Sequence, residues 1–185
     1  MASRRIFVLI ALAACLAGPA SAKRMNVTDP DAPRSLPAQG PVEVRWSDPA
    51  QFTELRGSGN RNEAKQGDWV VQLASYLRQR AEKRLAPGER LDVEITDIKR
   101  AGNYEPWRGI QFDTVRFMRE VYPPRMTLTF KRLDANGADV AHGERKLSDF
   151  AFLSSGTGAG DTDPLRYEKR MIDRWLAKEL PSKGQ

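Results

Sequence analysis

The stretch RLDVEITDI, residues 90–98, constrains the fold most. Leu91, Val93 and Ile95 alternate with Asp92, Glu94 and Thr96, the period-two pattern of a strand with one apolar face. Asp97 falls in phase with the apolar side at the strand's end. VEVRW repeats the pattern earlier, with Val42, Val44 and Trp46 on one side and Glu43 and Arg45 on the other. RMTLTFKRL places Met126, Leu128 and Phe130 inward, and Asp134-Ala135-Asn136-Gly137 turns the chain so that residues 138–147 return antiparallel. Val115, Phe117 and Val121 predict a less regular strand, ended by Tyr122-Pro123-Pro124 because consecutive prolines cannot donate to a ladder.

Two segments carry the helical period instead. Leu73, Leu77, Ala81 and Leu85 form one stripe, with Trp69 and Tyr76 beside it; Asp68 stands at the capping position and Pro87-Gly88 ends the run. After Asp163-Pro164, Leu165, Ile172, Trp175, Leu176 and Leu180 lie on one arc that Pro181 terminates. The order predicts an α+β domain over residues 41–181: a twisted, mostly antiparallel sheet of about four strands with two helices packed on one face. Residues 182–185 are left as a disordered tail.

The first 22 residues have a different grammar. Arg4 and Arg5 precede an apolar run, Ile6 to Leu16, that is too short to span a bilayer but suits a signal peptide. Cleavage after Ala22, at the small-x-small pattern Ala20-Ser21-Ala22, predicts an exported, soluble mature chain. The stretch before Cys15 also fits lipoprotein processing, which would anchor the chain at the outer membrane through a lipidated Cys15. Removing residues 1–22 from 185 leaves 163, enough for one domain with a core and with no transmembrane segment. Residues 23–40 mix charges with Pro30, Pro33 and Pro37 and have no apolar period, the composition of a flexible linker.

Inventory excludes most chemistry. Without Cys15 the mature chain has no cysteine, hence no disulfide, thiol catalysis or thiolate metal site. His142 is the one histidine, set in a hairpin strand without an orienting partner or a nucleophile elbow. No metal or organic cofactor is expected. The loop GTGAGDTD, residues 156–163, lacks the lysine of a phosphate cradle and the repeats of a calcium solenoid, and is read as a connection with a helix cap. No catalytic residue is assigned, so carboxylates remain as the chemical stock. Asp97, Asp149 and Glu168 sit where the pattern leaves them partly buried, with Arg125 as a candidate partner. A pair of them would be needed for hydrolysis of an envelope polymer such as peptidoglycan.

Binding is the favoured reading. The chain carries a formal charge of +6, which falls to +4 once Arg4 and Arg5 leave with the signal. Outside the cytoplasm that charge points to anionic lipid headgroups or another envelope protein rather than to nucleic acid. Arg78, Arg80, Lys83 and Arg84 cluster late in the first helix, and Tyr104 and Trp107 occupy a long predicted loop. These six residues are the candidate binding set.

The stretches VEVRWSDPAQFTEL, EITDIKRAG, VYPPRMTLTF, GERKLSDFAF and DPLRYEKRMIDRW, taken in order, resemble an exported proteobacterial family known as a domain of unknown function, of the DUF3016 type. The resemblance runs from about Val42 to Leu180. The resemblance implies a Gram-negative protein of the periplasm or envelope and the extent of one domain, and it brings no reaction, cofactor or catalytic residue.

Overall fold

The computed structural model describes residues 25–154 and 162–180. Residues 1–22, read above as a signal peptide and containing Cys15, most of the 156–163 loop and residues 182–185 lie outside the described residues. The elements run β1 Val42–Trp46, α1 Thr53–Arg56, α2 Arg61–Ala64, α3 Trp69–Glu82, β2 Arg90–Lys99, β3 Asn103–Tyr104, β4 Arg116–Phe117, β5 Arg125–Leu133, β6 Asp139–Ser148 and α4 Arg166–Glu179.

Four of the strands form one sheet in the order β1-β2-β5-β6. β1 and β2 are parallel, joined through α3, while β2-β5 and β5-β6 are antiparallel. The alternation read from sequence sets the faces: Val42, Val44 and Trp46, then Leu91, Val93 and Ile95, then Met126, Leu128 and Phe130 are all buried. α3 meets them with Val70, Leu73, Ala74, Leu77 and Ala81, and α4 with Ile172, Trp175 and Leu176. The expected α+β architecture is therefore present, with a mostly antiparallel sheet. Tyr76 and Arg80 of α3 clasp Asp173 of α4, at 2.7 Å from the tyrosine Oη and 2.7 Å from the guanidinium Nε.

Three local features differ from the periodicity. The ladder between β2 and β5 shifts register between Ile95 and Asp97, so Ile98 rather than Asp97 takes the next buried place. The irregular strand contracts to β4, which leaves the main sheet and pairs with β3 instead. The segment 25–40, linker-like in composition, lies against the domain. Val27 is buried, the Leu36 N–H donates to the Val44 carbonyl at 2.9 Å, and the Trp46 N–H donates to the Arg34 carbonyl at 2.8 Å. An edge strand leaves a row of backbone groups unpaired, and a short irregular segment can satisfy them without any apolar period of its own.

Candidate interaction site

Residues 103–122 leave the sheet as an arm. β3 and β4 pair at its base, the Gly102 N–H donates to the Tyr122 carbonyl at 3.0 Å, and two 3-10 turns at 106–108 and 110–112 form its end. Gly102 opens the arm at φ +75°, and a Cβ there would stand 2.7 Å from the Phe117 carbonyl oxygen, so a larger residue would force β4 away. The polar loop after α1 holds the arm from the side. The Asn60 amide donates to the Asp113 carbonyl at 2.9 Å, and the Asn103 amide donates to the Gly57 carbonyl at 3.3 Å.

Beneath the arm lies a buried ionic cluster. Glu54, with no exposed surface, accepts from Lys99 Nζ at 2.9 Å, from the Arg100 N–H at 3.0 Å and from the Arg116 guanidinium. Lys99 also donates to the Arg100 and Gly102 carbonyls, and Arg116 to those of Ala101 and Gly102. Arg116 lies over the Tyr104 ring, and Arg100 over Trp69. From α4, Glu168 accepts from the Ala101 N–H at 2.6 Å, while its Oε2 is buried without a hydrogen-bond partner. Burial raises the Glu168 carboxyl above its ordinary range, offset in part by the charge of Arg100 and the Ala101 N–H. Burial likewise lowers the Lys99 ammonium, against the pull of Glu54. The cluster ties α1, the end of β2, the arm and α4 to one point.

A second buried carboxylate sits within the arm. Glu105 accepts from Arg108 Nε at 2.5 Å, Arg119 Nε at 3.0 Å and Tyr122 Oη at 3.1 Å. Both arginines are partly exposed, so the triad itself carries one net positive charge, with Asp113 and the exposed Glu120 elsewhere on the arm. Around it stand Trp107 at 71% exposure, Ile110 at 86% and Val121 at 73%, with Phe112 and Val115 also exposed. So many large apolar side chains on one short segment form the kind of patch that marks an interaction surface.

The candidate residues separate. Tyr104 is buried under Arg116 and serves the arm's base, whereas Trp107 belongs to the exposed patch. The basic helix run does not act as one surface: Arg78 donates to the Pro37 carbonyl and Arg80 to Asp173, while Lys83 is exposed and Arg84 half-buried. Asp97 accepts from the Thr53 N–H at 2.6 Å and Thr53 Oγ1 at 2.7 Å, holding the start of α1. Asp149 is buried between Arg170 and Arg174, not beside Arg125, which is exposed and lies over the Phe150 ring. Glu54, Glu105 and Lys99 were missed, because none sits on an apolar period that would announce its burial. Among the described residues no group of three or more His, Cys, Asp or Glu is placed to hold a metal ion.

Over residues 40–178, from just before β1 into α4, the sequence matches the family described as protein of unknown function, DUF3016. The chain belongs to the DUF3016 family. The matched DUF3016 span includes the whole arm and both buried clusters, and it begins after most of the edge-covering segment. No curated protein matches the chain. A crystal structure described as that of a "putative lipoprotein" from Caulobacter crescentus CB15 aligns with 76% of this chain and 93% of its own at 19% identity; with a TM-score of 0.24 that likeness carries no argument. No helix among the described residues is long and apolar enough to cross a membrane.

Proposed function

We propose that this DUF3016 chain works in the periplasm as a non-enzymatic binding module, and that its arm docks on the anionic lipid surface of the envelope. The observation that carries this reading is the exposure of Trp107, Ile110 and Val121 beside a triad of net positive charge. A tryptophan and aliphatic tips beside arginines suit the headgroup boundary, where the rings and methyls enter and the guanidiniums stay with phosphate. Burying Trp107 and Ile110 removes roughly 250 Å² of apolar surface, about 6 kcal/mol at about 25 cal/mol per Å². Association costs about 4 kcal/mol or more, so the attachment is reversible and charge contributes to it. Hydrolysis of a polymer is the poorer reading. Glu54, Glu105, Asp149 and Glu168 are all buried, and all but Glu168 are held by cationic side chains; Asp97, partly exposed, is engaged by Thr53, so no two of these acids meet a glycan in the open.

Co-sedimentation of the processed protein with phosphatidylglycerol vesicles tests the proposal. Binding is expected at low salt, weaker at high salt, and lost on Trp107→Ser with Ile110→Ser while the fold is unchanged. Failure of the wild-type chain to sediment, or sedimentation indifferent to both substitutions, would remove the arm from this role.

A further inference from the structure

The two edges of the sheet are treated differently. Residues 34–36 cover the outer edge of β1, whereas the ten-residue outer edge of β6 has no pairing segment among the described residues. An antiparallel edge directs every second N–H and C=O outward, which is a template for another strand.

Beside that edge, between β6 and α4, runs a cleft of about 300 Å³. Its walls carry Arg145, Lys146, Arg174 and Lys178 against one acid, Glu179. Glu179 is already engaged, taking both Arg145 Nε and Arg145 Nη2 at 3.0 Å. Arg174 shares the single charge of Asp149 with Arg170. Lys146 reaches Glu144 only at 3.4 Å with both side chains exposed, a pair of little strength. The field in the cleft is therefore positive. Trp175 lines it as well.

We propose that β6 and this cleft dock an acidic polypeptide segment in extended conformation, added to the sheet as a fifth strand. Backbone hydrogen bonds to the β6 edge supply the pairing, and carboxylates on alternate residues, turned to the α4 side where Arg145 and Leu147 also point, meet Arg174 and Lys178, while Lys146 on the opposite face adds to the positive field. This surface is separate from the arm, and its occupant is protein rather than lipid.

The test is fluorescence anisotropy with a labelled, end-capped peptide of about eight residues alternating Glu and Val, long enough to span most of β6. Binding is expected at low salt. It should weaken about ten-fold on Lys146→Glu with Lys178→Glu, two exposed positions whose exchange leaves the fold intact by circular dichroism. It should also be lost when alternate peptide nitrogens are methylated, which removes the backbone donors without touching the charge. Absence of binding to the wild-type protein, equal binding of a Lys-Val peptide, or unchanged binding of the methylated peptide would each overturn the proposal.

Discussion

Replacing Glu54 by Gln keeps the size of the side chain and removes the one charge that Lys99 and Arg116 share. Both cations are close to ninety per cent covered, with side-chain exposures of 12% and 11%, so water cannot take over from the lost carboxylate. Breaking a buried ion pair from one side costs about 3–5 kcal/mol. Here the backbone carbonyls of Ala101, Gly102 and Arg100 still accept from the two cations, which places the cost near the lower end, about 3 kcal/mol. For a domain of this size that corresponds to a fall in Tm of about 6–12 °C. Guanidinium unfolding at neutral pH measures it, with Glu94→Gln as the control. Glu94 pairs with Arg45 at 3.0 Å on the exposed sheet face, and its loss should cost no more than about 1 kcal/mol. A Glu54→Gln loss no larger than the control's would refute the view that this cluster fastens the arm to the domain.

Two further outcomes follow from the buried acids. Because burial raises the Glu168 carboxyl in the folded state, folding is favoured through Glu168 at pH below its ordinary value near 4.5, and that contribution disappears as pH climbs through the raised folded value. The Tm advantage of the wild type over Glu168→Gln should thus shrink as pH rises in thermal melts; a difference flat from about pH 3 to about pH 8 would contradict the burial of this group. Tyr76 is pushed up to about 12 by burial and by its hydrogen bond to Asp173. Asp173→Asn should move one tyrosine's phenolate absorbance back toward the ordinary 10.0.

Strands and helices were legible because their burial is periodic: residues 42–46, 90–95, 126–130, 70–81 and 172–176 announce a face. The arm was not. Tyr104 and Trp107 look alike in sequence, yet one lies under a guanidinium and the other in solvent, a distinction made by Gly102 and by the contacts to residues 57–60. The long-range partners of Glu54 are 45 and 62 positions away, and no local pattern reports such a meeting. The same holds for Asp97, whose phase the bulge in β2 alters. The basic run 78–84 read as one cationic face because helical spacing shows proximity along the helix, not that Pro37 and Asp173 would claim two of its members.

The proposed docking of the arm on lipid can be read from its own tryptophan. Of the four tryptophans, Trp46, Trp69 and Trp175 are at most 5% exposed, whereas Trp107 is 71% exposed, so quenching by aqueous acrylamide reports Trp107. On adding phosphatidylglycerol vesicles, the accessible component of the emission should lose its sensitivity to acrylamide and shift to shorter wavelength. A chain that binds the vesicles while Trp107 stays as quenchable as in buffer would show that the arm is not the part that meets the membrane.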